Sequence, residues 1–221
     1  MVTNQQLPGL RIVGLSGGIG AGKSTVAKYL SDSLPKPVLV LSADDEVGEL
    51  LNSAEVSVQV AEVLGNHLLG PDGLLDRSAV AAHIFSDEKA RKTLEGLLHP
   101  AVRSSIFNKL SALEQSGGAV WALLDVPLMH ENGLDRACDF EIFVEVSAAE
   151  RCRRACQRHG WEENEWKSRE KAQLPLEKKQ QAADAMVHNE GALSSLPEQL
   201  APIVEQILSL APRPLRDRWP A

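Results

Sequence analysis

The apolar residues of this chain fall into five short runs, and longer stretches of helical character lie between them. The runs occupy residues 11–15, 38–42, 119–124, 140–146 and 185–188. Four consecutive apolar residues in the second run suit a strand that is covered on both faces. Because strands alternate with helices, the pattern predicts an α/β fold of the P-loop NTPase type, with a parallel sheet flanked by helices on both faces.

The spacing of the strands predicts a core with two helical additions. We expect the core at residues 11–43, 118–146 and 184–210, a helical acceptor-binding insertion at 44–117, a helical lid at 147–183, and flexible tails at 1–10 and 211–221. Within the helical parts, Asp76 and Ser86 are predicted helix N-caps, and Pro100 fits the first turn of a further helix. Ser147 opens the lid with a capping-box pattern.

The segment after the first predicted strand has the pattern G-x-x-x-x-G-K-[ST], from Gly17 to Ser24, and a helical stretch follows it. Glycines allow consecutive backbone N–H groups to point at phosphate oxygens, and the helix N-terminus adds partial positive charge. Lys23 can reach the β- and γ-phosphates, and the hydroxyl of Ser24 can bind Mg²⁺. The predicted nucleotide-binding residues are Gly18, Ile19, Gly20, Ala21, Gly22, Lys23, Ser24 and Thr25.

Two aspartates and a group of arginines supply the other parts that a kinase of small molecules needs. Asp44 follows the second strand and Asp125 ends the third, so both carboxylates are expected at the edge where parallel strands bind ligands. Asp125 is the predicted Mg²⁺ ligand beside Ser24. Arg151, Arg154 and Arg158 follow one another at spacings of three and four, so they are predicted to converge on a polyphosphate from one helix face.

Charge and composition narrow the choice of partners. The net charge is −7 and the isoelectric point is about 5.4, so no overall positive field attracts nucleic acid. No secretory signal or membrane-length apolar run is visible, and an odd count of three cysteines suits a reducing compartment. We therefore expect a cytoplasmic protein with no membrane partner. The sequence sets no oligomeric state, and a monomer is the default expectation.

Several motifs in chain order resemble the dephospho-CoA kinase family. They are the loop from Ser16 to Thr25, Ser42-Ala-Asp44, Gly73 to Arg77, Leu98-His99-Pro100, Asp125 to Leu128 with Glu131, and then Arg154, Arg158, Gln173, Pro175, Lys179, Ala183-Asp184, Asn189 and Gly191. The resemblance runs from about residue 11 to residue 191. One departure is Ser42, which stands where the family has an aspartate, and it bears on acceptor positioning because Asp44 is kept.

This resemblance implies transfer of the γ-phosphoryl group of ATP, with Mg²⁺, to the ribose 3′-hydroxyl of dephospho-CoA. It implies that Asp44 is the base and that Arg77 and His99 bind the acceptor together with Asp44. The expected catalytic residues are Asp44, Lys23, Arg154 and Arg158. Two other functions stay open, namely a P-loop kinase with another small-molecule or nucleotide acceptor, and an ATP-binding regulatory module without turnover.

Each candidate also has a purely structural interpretation. Asp44 or its neighbour Asp45 can cap a helix, and Asp125 can be a turn residue at a strand end. The lid arginines can form a solvated helix face, and His99 can cap a helix end. Arg77 can pair with a nearby carboxylate.

Overall fold

The computed structural model describes residues 8–191 and 195–220. Five strands form one parallel sheet in the order β2-β3-β1-β4-β5. The strands are β1 Gly9–Ser16, β2 Val38–Ser42, β3 Ala119–Asp125, β4 Phe140–Glu145 and β5 Ala185–His188. The predicted parallel α/β sheet is therefore confirmed, with all five strands at the predicted places.

Helices flank the sheet and fill the predicted insertion and lid. They are α1 Lys23–Ser33, α2 Ala43–Leu50, α3 Ala54–Leu64, α4 Arg77–Ser86, α5 Glu88–Gln115, α6 Ala148–His159, α7 Glu163–Lys171, α8 Leu176–Ala182 and α9 Leu196–Ser209. In the part of the chain that the structure describes, none of them has the length and apolar character needed to cross a membrane. The chain forms two compact units, one of residues 43–109 and one of the residues before and after that segment.

The core of the larger unit forms because both faces of β1 are apolar. Leu10 and Ile12, and on the alternate side Val13 and Leu15, are fully buried. A strand that buries both sets of alternating side chains belongs in a sheet that is covered on both faces. The apolar stripes of α1 and α9 pack into this core through Val26, Leu30, Leu200, Ile203 and Ile207.

The smaller unit confirms one predicted helix cap and corrects two other predictions. Asp76 caps α4 by accepting hydrogen bonds from the backbone N–H groups of two residues that follow it. The cap predicted at Ser86 is wrong, because Asp87 accepts from the N–H groups of Lys89 and Ala90. The helix start predicted at Pro100 is also wrong, because α5 runs through this residue without a break.

Packing explains why α5 continues through a proline. A row of buried side chains at every fourth position runs along the helix on both sides of Pro100, namely Ala90, Leu94, Leu98, Val102 and Ile106. Proline in a helix interior costs about 3 kcal/mol or more. Burial of a single large apolar side chain is worth about 1.5–3 kcal/mol, so this row offsets the cost.

The C-terminal segment differs from the expected flexible tail. Leu215 and Arg218 are buried, with 1% and 6% of their surface exposed. Arg218 forms an ion pair with Asp139, and Arg213 Nε lies 2.6 Å from the other carboxylate oxygen of Asp139. The backbone N–H of Ile12 also donates to Asp139, at 2.8 Å. Asp139 therefore joins the C-terminal segment to the start of the sheet.

Asp139→Ala is expected to lower the free energy of unfolding by about 3–5 kcal/mol, because it leaves the buried charge of Arg218 without a partner. Urea unfolding at neutral pH measures this change. Asp217→Ala is the matched control, since Asp217 is 62% exposed in its pair with Arg216 and is expected to change stability by less than about 0.5 kcal/mol. Equal effects of the two substitutions would contradict the structural role of Asp139.

The predictions for the chain termini lie partly outside the described residues. These are the N-terminal tail up to residue 7, the start of the last predicted helix at residues 193 and 194, and residue 221. In the described part, β1 begins two residues earlier than the apolar run indicates, at Gly9.

Candidate active site

The loop between β1 and α1 has a backbone that requires glycine. Gly17, Gly20 and Gly22 have φ angles of 142°, 87° and 81°, which L-residues with side chains rarely adopt. A Cβ atom on Gly17 would lie 2.6 Å from the carbonyl oxygen of Val144, and one on Gly20 would collide with the carbonyl of Arg151. Gly22 is the N-cap of α1. The glycines thus let the loop curl closely around the start of the helix.

Lys23, the first residue of α1, folds back along this loop. Its Nζ atom donates to the carbonyl oxygens of Gly17 and Gly18, both at 3.2 Å, and only 9% of the residue is exposed. Ser24 and Thr25 follow in the first turn of α1 and are exposed. Consequently the helix N-terminus presents an ammonium group and two hydroxyl groups at the predicted phosphate site.

Arg154 on α6 reaches the same loop. Its Nη2 atom donates to the carbonyl oxygen of Asn189 at 3.0 Å, and the Asn189 side chain donates to the carbonyl oxygen of Ala21 at 2.8 Å. Glu150 holds the other edge of the guanidinium, with Nε 2.7 Å from its carboxylate. Arg158 lies one turn further along α6 and is exposed. Asn189, which follows β5, is thus the residue that joins Arg154 to the phosphate loop.

Arg151 does not join the other two arginines as expected. It is 5% exposed, its Nε donates to the carbonyl oxygen of Val146 at 3.1 Å, and Nη1 forms an ion pair with Glu170 on α7. The prediction that three arginines converge on a polyphosphate is therefore wrong for Arg151. One sequence could not show this, because Glu170 lies 19 positions away.

Asp125 is the last residue of β3 and is paired in register with Ser42, the last residue of β2. Because all five strands are parallel, these residues lie at the sheet edge where β1 ends in Ser16 and the phosphate loop begins. The carboxylate of Asp125 and the hydroxyl of Ser24 are oxygen donors of the type that Mg²⁺ prefers. The donor set therefore fits the predicted metal, which stays a proposal.

The smaller unit brings the helix of Asp44 together with Arg77. Asp44 and Asp45 both lie in the first turn of α2, which begins at Ala43, so neither of them is its N-cap. Arg77 Nη2 donates to the carbonyl oxygen of Gly48 at 2.5 Å, one turn after Asp44. A guanidinium thus lies on the helix that carries the predicted base.

A buried carboxylate that the sequence analysis missed fixes this helix. Glu46 is 2% exposed, and its two oxygens accept from Ser105 Oγ and Lys109 Nζ, both at 2.6 Å. Lys109 also contacts Glu49 at 2.6 Å. Ser105 and Lys109 lie 59 and 63 positions after Glu46 in the chain, so no local pattern in the sequence indicates these contacts.

His99 lies in the interior of α5 and is exposed. It does not cap a helix end, so that structural interpretation is excluded. Its predicted role in acceptor binding remains a proposal.

The predicted lid segment, residues 147–183, also contacts the loop after β3. Lys179 on α8 is 1% exposed, and its Nζ lies 3.1 Å from Glu131 and 3.2 Å from the side-chain oxygen of Gln173. Glu131 also accepts the backbone N–H of Leu174 at 2.6 Å. Glu131 and two residues of the family pattern more than 40 positions later, Gln173 and Lys179, therefore form one contact around the buried ammonium group of Lys179.

A partly buried histidine beside this contact carries a perturbed pKa. His130 Nε2 lies 2.7 Å from Glu141, and Nδ1 lies 3.9 Å from Asp135. The hydrogen bond to Glu141 raises the pKa of His130 above 6.5, with Asp135 adding to the shift while burial and Lys179 oppose it. The stabilisation by the charged imidazole is thus fully present below pH 6.5 and is lost as the pH rises through the raised pKa.

His130→Gln is expected to remove this pH dependence. The free energy of unfolding of the original protein should exceed that of the variant by more at about pH 6 than at about pH 9. Urea unfolding of both proteins at the two pH values measures the difference. A difference that does not change with pH would contradict a charged His130 in the folded protein.

A parallel sheet with a glycine loop closed by a lysine, a strand-end aspartate and a basic helical lid defines a P-loop kinase. Comparison with known proteins narrows the class. The family model for dephospho-CoA kinase matches residues 11–195. The chain is also 35% identical over 198 residues to a dephospho-CoA kinase of Corynebacterium glutamicum, which covers 89% of this chain and 97% of that protein. The chain belongs to the dephospho-CoA kinase family.

Solved structures agree with the fold. The crystal structure of TT1252 from Thermus thermophilus has a TM-score of 0.66 and 33% sequence identity, covering 90% of this chain and 98% of that one. A dephospho-CoA kinase from Campylobacter jejuni has a TM-score of 0.63 at 21% identity, covering 90% and 97% of the two chains. At that identity the second likeness bears on the fold alone.

Proposed function

We propose that this protein transfers the γ-phosphoryl group of ATP to the ribose 3′-hydroxyl of dephospho-CoA, giving CoA and ADP. The observation that carries the proposal is the family match over residues 11–195, which includes the phosphate loop, the three candidate acceptor residues Asp44, Arg77 and His99, and the predicted lid. The preformed glycine loop with Lys23 folded along it supports the nucleotide part of the reaction.

The phosphate loop binds and orients the nucleotide in this proposal. Its backbone N–H groups and the ammonium group of Lys23 neutralise charge on the β- and γ-phosphates, which is most of the catalysis that phosphoryl transfer needs. Ser24 and Asp125 would hold Mg²⁺, which supplies further charge neutralisation on the phosphates when it is bound. Thr25 and the loop residues from Gly18 to Gly22 complete the nucleotide site.

Asp44 accepts or orients the proton of the acceptor hydroxyl. Asp44 lies in the first turn of α2, where the partial positive charge of the helix N-terminus interacts favourably with a carboxylate. Arg77 and His99 bind the acceptor. Because the guanidinium of Arg77 contacts the backbone of α2, its contact with an acceptor would act on the helix that carries the base.

Arg154 and Arg158 neutralise charge that develops on the transferred group. Arg154 is already held beside the loop by Glu150 and Asn189, whereas Arg158 is exposed. The lid therefore supplies one arginine that is already held at the loop and one that is exposed. Exclusion of water from the γ-phosphate is the reason to expect that the lid closes over both substrates.

ADP release by the purified protein tests the proposed acceptor. Release with ATP and dephospho-CoA is expected to exceed release with adenylate, nucleosides or sugar alcohols as acceptor. Faster release with one of those compounds would assign the protein to another kinase activity. Intact ATP affinity without acceptor-dependent release would favour a regulatory module.

The reaction takes place in the cytoplasm in this proposal, and the protein acts as a monomer. The cysteines Cys138, Cys152 and Cys156 are all free, which suits a reducing compartment. Light scattering of the purified protein measures the oligomeric state, and a mass close to 24.0 kDa is expected.

A further inference from the structure

The buried Arg151 and the partly buried Glu170 form an ion pair between helices α6 and α7 of the predicted lid. The guanidinium of Arg151 also lies over the ring of Trp166, 5.4 Å from its centre, and donates through Nε to the carbonyl oxygen of Val146. The side chains of Arg151 and Glu170 are 6% and 19% exposed. An arginine in this position needs its counter-charge, because an unpaired buried charge is strongly destabilising.

These residues cover three consecutive positions of the phosphate loop. A Cβ atom on Gly18 would collide with the guanidinium of Arg151, and one on Gly20 would collide with its backbone carbonyl. Between them, the carbonyl oxygen of Ile19 accepts a hydrogen bond from Trp166 Nε1 at 3.4 Å. The loop therefore contacts α6 through Arg151 and α7 through Trp166.

An ion pair removed from water adds little net stability, because desolvation of its two charges opposes their attraction. Apolar residues of similar volume often replace a buried ion pair without loss of stability. The second carboxylate oxygen of Glu170 is also buried without a hydrogen-bond partner in the described part of the chain, which adds a desolvation cost. Stability alone therefore does not explain a charged pair at this place. The pair lies against the phosphate loop, so a role in shaping that loop is the natural explanation.

We propose that Arg151 and Glu170 are positioning residues of the nucleotide site. Their ion pair keeps the guanidinium and Trp166 against the loop, so that the loop has its binding shape before ATP arrives. Neither residue contacts phosphate in this assignment. The inference rests on the proposed function, because it concerns the same phosphate loop, and it adds two specific residues that set the affinity of this loop for ATP.

Glu170→Gln keeps the size of the side chain and removes its charge. Arg151 then has no counter-charge to hold its guanidinium against the phosphate loop. If the loop then has its binding shape about a tenth of the time, the Kd for ATP rises about tenfold. The KM for dephospho-CoA should stay unchanged. Calorimetric titration with ATP and Mg²⁺ measures the Kd, and initial rates give the two KM values.

Two further variants separate positioning from stability. Trp166→Phe keeps an aromatic ring under Arg151 but removes the indole N–H that contacts Ile19, and it should raise the Kd for ATP in the same direction. Glu165→Gln is the matched control, because it removes one carboxylate of α7 that pairs with Arg169 on the exposed side, at 2.9 Å. This control should bind ATP as the original protein does.

The outcomes distinguish this inference from the proposed function. Weaker ATP binding by both test variants, with the control unchanged, supports the positioning role. A Glu170→Gln or Trp166→Phe protein that melts at a lower temperature yet binds ATP with unchanged affinity overturns it and leaves the proposed function intact. Failure of the original protein to bind ATP overturns the proposed function first and this inference with it.

Discussion

Asp44→Asn is expected to lower turnover by about 10²–10⁴-fold and to leave the affinity for ATP unchanged. The substitution keeps the shape of the side chain and removes the carboxylate that accepts the proton of the acceptor hydroxyl. Asparagine at this place also leaves the packing of α2 intact, because Glu46, Ser105 and Lys109 hold the helix. Turnover with dephospho-CoA and calorimetric titration with ATP measure the two quantities.

Asp45→Asn is the control for this substitution. It removes the same charge from the same helical turn, one residue away from the proposed base. We expect its turnover to stay within a few-fold of the original protein, since loss of a first-turn carboxylate costs only about 0.3–1 kcal/mol of helix stability. Unchanged turnover in the Asp44→Asn protein, or an equal loss in both proteins, would remove Asp44 from the mechanism.

Lys23→Ala is expected to weaken ATP binding and to lower turnover by about 100-fold or more. The ammonium group of Lys23 is held at the loop by the carbonyl oxygens of Gly17 and Gly18, and no backbone N–H group can replace its charge. Titration of the variant with ATP and its acceptor-dependent ADP release measure both effects.

Lys28→Ala is the matched control, because Lys28 lies on the same helix and is exposed. It should leave both quantities unchanged. A melting curve of the Lys23→Ala protein shows whether the loop and α1 stay folded, so that weaker binding is assigned to the missing charge. An ATP affinity equal to that of the original protein would contradict the phosphate-loop assignment.

The sheet and the phosphate loop were predictable because their signals are local. Each strand is a short apolar run between turn or helix signals, and the loop needs positive φ angles at Gly17, Gly20 and Gly22, which glycine adopts readily. The cap at Asp76 is likewise set by residues that follow it directly. The strands, the glycine loop and this cap all depend on neighbours within a few positions, and the structure confirms these predictions.

The cap predicted at Ser86 failed for a local reason, because the next residue, Asp87, takes that role, whereas the other failures come from contacts between distant residues. Pro100 indicates a helix start, yet α5 continues through it because the buried apolar row on this helix offsets the cost of the proline. The proline- and arginine-rich C-terminus reads as solvated, but Asp139, some 79 positions before Arg218, gives it a buried partner. Charge and local pattern cannot distinguish a solvated arginine from a paired one when the partner lies far along the chain.

The candidate site also contains residues that the sequence placed correctly and one that it did not. The residues of the loop and Arg154 lie together as the spacing indicated, with Asn189 as the link. Arg151 has the same helical spacing as Arg154 but a different role, because Glu170 on the next helix captures it. Helical spacing therefore indicated one common role for the arginines, whereas in the fold Arg154 is bound by Glu150 and Asn189 and Arg151 is paired with Glu170.

Transfer of labelled phosphate from ATP tests the central claim most directly. The purified protein is mixed in excess with ATP labelled in the γ-phosphate and with dephospho-CoA, and the products of a single turnover are separated. We predict that the label appears on the ribose 3′-oxygen of newly formed CoA. Label that is recovered only as inorganic phosphate, or that stays in ATP, would contradict the account.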